Sequence, residues 1–383
     1  MEGVRQRNLA RLLRLVHLGG PLSRANLTEA TGLNRSTVGG LVLELVSAGL
    51  VEERPPDPSR RVGRPSPIVV PHPSVVAIAA NPEVDAIELG AVGLDQRLHA
   101  RVRLPQDTVL SPLRTAELIA EQIILWRSAE LAGTDIVGVG VAVPGLVRAS
   151  DGLVRDAPHL GWLDAPVRDL VAEATGLATS VGNDASLGAI AEHLFGAAAG
   201  IGDVVYLNGG ASGIGGGLIV HGMPVGGVGG YAGEFGQNRP GIAVVTDQRA
   251  PDGVLEDEVS RSRLLAAAGL QQADDGQLAA ALRPEIGPDV CAVVQRQRRI
   301  LATALANAVN VLNPAVIVLG GFLAIIAEHD VPGLEAAVRA QSMPACGEQM
   351  RIVPAALAED RLLIGAAEAV FNDLIHNRLS DRL

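Results

Sequence analysis

The chain has 383 residues, is 48% apolar and 19% charged, and carries a net charge of -11. That is enough apolar material for two or three packed domains, and too acidic a balance for a protein coated throughout by nucleic acid. No run of about 18 uncharged apolar residues suits a membrane span, and the opening MEGVRQRNLA lacks the apolar core of a secretion signal. Only Cys291 and Cys346 carry thiols, which reads as buried cysteine in a reducing, cytoplasmic compartment.

The charge is unevenly placed. Residues 1–66 hold ten arginines against six acids, a net of +4, and the remainder carries -15. A basic end on an acidic body is expected where only that end meets phosphate.

Leu9, Leu12, Leu13 and Val16 recur at helical spacing, predicting a helix over about Val4–His17 that Gly19-Gly20-Pro21 stops. Ser23 caps a second helix, about Arg24–Thr31. Gly32-Leu33 is a tight turn, and Asn34 caps a third helix through about Ala48, with Val38, Leu41, Val42 and Leu45 inward. Two short helices joined through a glycine turn read as helix-turn-helix. The first turn of the second of these meets base edges. Here that turn offers Asn34, Arg35, Ser36 and Thr37, with Ser23 and Arg24 at the start of the preceding helix as further DNA contacts. Leu50-Val51 and Ile68–Val70 read as paired strands. The proline- and arginine-rich stretch between them suits an exposed wing, with Arg60, Arg61 and Arg64 tracking phosphates and Gly63-Arg64-Pro65 entering a minor groove, or else a solvated loop whose charges do nothing specific. Residues 1–70 are therefore expected to form a winged helix-turn-helix domain that binds an operator.

Beyond Pro71-His72-Pro73 the pattern becomes α/β. Stretches 75–80, 86–94 and 99–104 predict an antiparallel meander, and Ser111–Glu130 a helix with Leu113, Ala116, Ile119, Ala120, Ile123 and Ile124 inward. A buried strand follows at 136–145, a helix at Asp164–Thr175, a short strand over ATSVGN, and a helix at Ala185–Phe195. DVVYLNGG and GIGGGLIVHG pair as a hairpin. Leu264–Leu282 and Val290–Leu312 read as helical, 315–323 and 351–357 as strands, and Leu362–Phe371 as a closing helix. Strands alternating with helices, with glycine turns at strand ends, predict an α/β body of two lobes over 74–383. The first lobe covers about 74–185 plus the C-terminal helix, and the second about 186–360.

The chemistry gathers between Val181 and Glu256. Asp184 and Glu234 each sit beside a tight amide or glycine turn, with the glycine-rich hairpin Gly209–Gly217 between them. A carboxylate in a cleft accepts from two hydroxyls, and an amide such as Asn183 both donates and accepts, so the set suits a polyol. Asp184 can equally serve as a helix N-cap before Ala185. His159 reads either as loop surface or as a pocket edge, and Trp162 as core.

The ordered motifs VGVGVAVPGLV, LGWLDAPVRDL, VGNDASLGA, GASGIGGGLIVHG, GYAGEFG, GVLE and PAVIVLGGFL, spanning nearly the whole chain, resemble the ROK family, named for repressors, open reading frames and sugar kinases. The resemblance implies an actin-like two-lobed body, and the N-terminal winged helix marks the repressor branch. It also implies sugar contacts from Asn183, Asp184, Glu234, Gln237 and Glu256, Asp184 standing where the family's kinases hold their catalytic base. Two departures matter. The kinases' first phosphate loop, Asp-x-Gly-Gly-Thr, is replaced by Ile78-Ala79-Ala80-Asn81-Pro82, with no carboxylate, glycine pair or hydroxyl, so ATP binding and phosphoryl transfer are not expected. The family's zinc ligands, a histidine and three cysteines, fall on Gln237, Asp247, Arg249 and Val254, so no zinc is expected. The expected protein is a cytoplasmic, homodimeric (or dimer-of-dimers) repressor of carbohydrate uptake or catabolism genes, controlled by a sugar or sugar derivative and binding no membrane. The alternatives are a carbohydrate kinase with a DNA-binding head, and a DNA-binding regulator whose vestigial pocket has yielded control to a protein partner.

Overall fold

The structure is a computed structural model that describes residues 2–55, 66–242, 245–250, 253–283 and 287–383. The wing arginines Arg60, Arg61 and Arg64 lie outside the described residues. The chain divides into two compact units. One comprises residues 1–142, 164–182 and 366–383, and the other 143–163 and 183–365.

The first unit opens with helices Glu2–Gly19, Arg24–Thr31 and Arg35–Ser47. Their apolar stripes close on one another: Leu9, Leu12, Leu13, Val16, Leu27, Val38, Leu41, Val42 and Leu45 are all buried. Ser23 caps the second helix by accepting from the Asn26 N–H, and Gly32 ends it in the left-handed region at φ 70°. A small antiparallel sheet, in the order Leu22–Ser23, Ile68–Pro71, Val51–Arg54, completes a winged helix-turn-helix.

The same unit holds a five-stranded sheet in the order Thr179–Asn183, Asp135–Val143, Val75–Pro82, Ala86–Gly93, Leu98–Pro105. The expected meander is present, and its first strand also pairs in parallel with Asp135–Val143. That central strand is buried at every position, as its unbroken apolar run requires. Gly140 lets the C-terminal helix approach: a Cβ there would lie 1.9 Å from the Ala366 carbonyl oxygen. Helix Pro112–Arg127 packs against helix Val167–Thr175. Leu113 and Ile124, expected inward, are 56% and 68% exposed, while Leu118 and Trp126 are buried instead. The buried stripe is centred on Ala116, Ile119 and Ile123, and Leu113 and Ile124 lie beyond its edges. The helix expected from Asp164 begins only at Val167, because Asp164 takes φ 46° and Pro166 precedes the first turn.

The second unit is built on a mixed sheet in the order Met223–Pro224, Ile214–Val220, Val204–Gly209, Val316–Gly321, Arg351–Pro354. The glycine hairpin is its antiparallel half, and strand Val204–Gly209 runs parallel to Val316–Gly321. Alternation divides the two faces. Val204, Tyr206, Val316 and Val318 pack with Ala185 and Ala189 of helix Asp184–Phe195. Val205, Leu207, Ile317 and Leu319 pack with Leu301 and Leu305 of the long helix Pro288–Leu312. The strand expected over 315–323 stops at Gly321, φ 58°, and Phe322 begins a helix through Glu328. The helical stretch expected over Leu264–Leu282 is two helices, Arg261–Ala267 and Asp275–Ala281, separated at Gly269, φ 70°. Helix Val331–Gln341 and the three short strands Leu146–Val147, Val154–Ala157 and Trp162–Ala165 were not expected from the sequence. The fold class is nevertheless the expected one, a winged helix-turn-helix followed by an α/β body.

Candidate functional site

Two surfaces collect the residues singled out from the sequence. The first is the start of helix Arg35–Ser47. Asn34 caps it, its Oδ1 accepting from the Thr37 N–H at 2.8 Å and from the Ser36 hydroxyl at 2.8 Å. Arg35 and Ser36 are exposed and Thr37 is half-buried. Asn34 and Ser36 thus shape the turn, and the Arg35 guanidinium is presented beyond it. Ser23 is occupied by its capping box with Asn26. Arg24 forms a two-point pair with Glu53 of the neighbouring strand, Nε to Oε1 at 2.5 Å and Nη2 to Oε2 at 2.6 Å. That pair ties helix to sheet and spends much of the fork that a base or phosphate contact needs.

The second surface is a cavity of about 370 Å³ in the second unit, within the size range of small-molecule sites. Asn183, Asp184, Glu234, Gln237, Glu256 and His159 all line it. They arrive from four places. Asn183 and Asp184 stand at the start of helix Asp184–Phe195, and His159 in the turn Pro158–Leu160. Glu234 precedes and Gln237 ends the short turn Phe235–Gln237, and Glu256 lies on helix Leu255–Glu258.

Asn183, rather than Asp184, is the helix cap: its Oδ1 accepts from the Ser186 N–H at 2.9 Å, and its Nδ2 donates to the Gly145 carbonyl at 3.1 Å. The capping alternative for Asp184 therefore fails by one position. Asp184 occupies the first helical turn, and its Oδ1 accepts from the Ala185 N–H at 2.8 Å and from Asn183 Nδ2 at 3.3 Å. Burial pushes the Asp184 carboxyl up to about 6. The Ala185 N–H and the Arg361 guanidinium oppose that rise, and Glu234 adds to it. Desolvation, then the neighbouring Glu256 carboxylate, raise the Glu234 carboxyl above its ordinary range.

Glu256 and Gln237 form one unit. Gln237 Nε2 donates to Glu256 Oε1 at 2.6 Å, and Glu256 Oε2 accepts from the Ile214 N–H at 3.1 Å, at the start of the glycine strand. The hairpin must be glycine here. Gly213 holds φ 138°, and a Cβ on it would lie 2.4 Å from Glu256 Oε2.

Sequence reasoning missed Asp156, Asn208 and Ser212, which also line the cavity. Asn208 is buried, and its Oδ1 has no hydrogen-bond partner within the described protein. Its position one residue before the Gly209-Gly210 turn was the available signal. Asp156 lies on a strand that no periodicity announced.

The segment that would hold phosphate in a kinase, Ile78–Pro82, stays in regular strand pairing to its last residue, Pro82 opposite Ile87. Asn81 is buried, with its amide donating to Glu83 at 3.2 Å. The hairpin turn that follows, residues 83–85, carries two carboxylates, Glu83 and Asp85, and no glycine, so these residues do not fit a nucleotide phosphate.

The sequence profile of the ROK family matches residues 84–372. A xylose repressor from Caldicellulosiruptor bescii is 25% identical over 375 residues, covering 92% of each chain. A glucokinase from Halalkalibacterium halodurans is 30% identical over 255 residues, covering 61% of this chain and 75% of its own. Among solved structures, a ROK family transcriptional regulator described as a homologue of the E. coli MLC protein superposes with a TM-score of 0.79 at 21% identity, covering 99% of both chains.

Proposed function

This chain belongs to the ROK family, and from that premise we propose that it is a sequence-specific DNA-binding repressor of carbohydrate uptake or catabolism genes, controlled by a sugar or sugar derivative. One observation carries the reading: a single chain joins a winged helix with an exposed recognition turn to a cavity lined by hydroxyl acceptors. The likeness to a xylose repressor over 92% of both chains supports it. In this reading residues 1–70 are the DNA head and 74–383 the effector body, cytoplasmic and dimeric. Two heads then read a pseudo-palindrome with half-sites spaced by whole helical turns. To switch occupancy fully, the sugar must bind one state about 10⁴-fold better than the other.

The lining narrows the ligand. Asp156, Asp184, Glu234 and Glu256 bring four carboxyl groups to one cavity. Such a wall accepts from neutral hydroxyls and repels a phosphate, because like charges at about 4 Å cost on the order of 4 kcal/mol near a protein surface. An unphosphorylated sugar or an amino sugar fits; a sugar phosphate does not.

We read the chain as a non-enzyme that requires neither zinc nor ATP. A carbohydrate kinase with a DNA head is the second reading. Asp184 favours it, standing in the cavity with a carboxyl poised to accept a proton, as does the likeness to a glucokinase. The regular strand at Ile78–Pro82 opposes it. The deciding experiment is operator binding with and without sugar at fixed salt, beside an assay for ATP-dependent sugar phosphorylation.

A further inference from the structure

The positions that the resemblance assigns to zinc hold groups unfit for the ion. Gln237 donates to Glu256, Asp247 is paired with Arg299 at 2.9 Å, Arg249 donates to the Thr246 carbonyl at 2.6 Å, and Val254 is aliphatic. In place of a metal the segment closes on a guanidinium. Arg296, from the long helix Pro288–Leu312, is 6% exposed. Its Nε donates to the Asp247 carbonyl at 2.7 Å and its Nη1 to the Glu258 carbonyl at 2.8 Å, while Nη2 pairs with the Glu258 carboxylate. Glu258 is fully buried, and its other oxygen accepts from the Arg249 and Ala250 N–H groups, both at 2.8 Å. One buried ion pair thus gathers four backbone groups at 247, 249, 250 and 258. The next residue of the long helix continues the brace: buried Gln297 accepts from the Ser260 N–H and donates to its carbonyl, each at 3.1 Å.

Glu256 lies on the same four-residue helix as Glu258. Its carboxylate reaches Ile214 and Gln237 at the cavity, and the Leu255 N–H donates to the Asn238 carbonyl at 2.8 Å. We infer that the buried Arg296–Glu258 pair braces in this chain the segment whose positions the resemblance assigns to zinc ligands, and that it positions Glu256 at the cavity. A guanidinium fork suits the task, because its donors meet two carbonyls and a carboxylate in one fixed geometry.

The experiment is hydrogen exchange on the full-length protein, wild type against Arg296→Met, with zinc measured by elemental analysis. In wild type, zinc is far below one per chain and 1,10-phenanthroline leaves the melting temperature unchanged. In Arg296→Met, exchange rises at least roughly tenfold at Arg249 and Ala250, and also at Ile214, whose N–H donates to Glu256; residues 75–105 keep their protection. Arg296→Lys retains the charge without the fork and falls between the two. If Arg296→Met does not fold, the double variant Arg296→Met/Glu258→Leu supplies the comparison, since replacing both members of a buried pair with apolar groups is often tolerated. It loses protection at the same three amides. Unchanged exchange at Ile214 while Arg249 and Ala250 lose protection would overturn the positioning role, and stoichiometric zinc would overturn the replacement.

Discussion

The imidazole of His17 meets the carboxylate of Glu368 across 351 positions of sequence, Nε2 to Oε2 at 2.7 Å, with both side chains buried. The other ring nitrogen lies 2.7 Å from the Leu94 carbonyl, which can only accept, and the Phe371 ring is tilted against the imidazole with centroids 5.3 Å apart. Gln96 completes the contact by donating to the His17 carbonyl at 2.6 Å. The first helix of the DNA head is thereby fastened to the five-stranded sheet and to the closing helix of the same unit. His17→Ala leaves the buried Glu368 carboxylate with the longer 3.8 Å ion pair to Arg14, a change that costs on the order of 3 kcal/mol. Denaturation followed by circular dichroism is expected to show a lowered midpoint and an early separate transition for the head. A single transition at the wild-type midpoint would show that the contact fastens nothing.

Arg35 is the exposed cation at the start of the recognition helix, beside an Asn34 and Ser36 already engaged with each other. Arg35→Ala is expected to weaken operator binding by about 1–3 kcal/mol, the worth of one good base contact, while sugar affinity stays unchanged. Arg24→Ala is expected to act differently. Breaking the partly exposed pair with Glu53 lowers head stability by up to about 1 kcal/mol and leaves the operator's base preference alone. Competition binding with operator variants separates the two, and an altered base preference in Arg24→Ala contradicts the assignment.

Effector binding is expected to depend on pH through Asp184. Its carboxyl titrates near 6 in the folded protein, against an ordinary value of 3.8. Between those values the folded state holds a proton that the unfolded chain has released, so this group makes the protein less stable as pH rises from about 4 to 6. A sugar hydroxyl bonds best to the ionised form. Affinity is therefore expected to fall as pH drops below about 6, by at most roughly tenfold per pH unit. Calorimetric titration from pH 5 to 8 checks this, and Asp184→Asn should bind more weakly with a flattened profile. A flat wild-type profile removes Asp184 from the contact.

The four cavity carboxyls predict discrimination between neutral and phosphorylated ligands. An effector sugar should stabilise the protein against heat, and its 6-phosphate should give no shift at equal concentration. A larger shift from the phosphate would contradict the ligand class.

Much of this was legible in the sequence, and the reason is local. Ser23 and Asn34 announce their helices because a capping side chain bonds within three residues of itself. Val204–Gly209 and Val316–Gly321 announce theirs because buried strands are continuous apolar runs. Asp184, Glu234 and Glu256 were found through motif order, and the fold then placed them around one cavity. What escaped depends on distant partners. The polar strands around Asp156 carry no period of their own, and Arg296 looks like one more surface arginine on an amphipathic helix until Glu258 is folded against it. Leu113 and Ile124 fit a helical stripe in sequence but lie past the width that the neighbouring helix covers.

The most direct measurement is a fluorescence anisotropy titration of the full-length protein on its own upstream DNA, at fixed salt because phosphate-driven affinity varies steeply with salt. It is repeated with a panel of neutral sugars, amino sugars and their phosphates. The expected result is specific binding to a pseudo-palindromic site, released by one unphosphorylated sugar and no longer released in Asp184→Ala. Binding indifferent to DNA sequence, or specific binding that every sugar leaves unmoved, would contradict a sugar-controlled repressor.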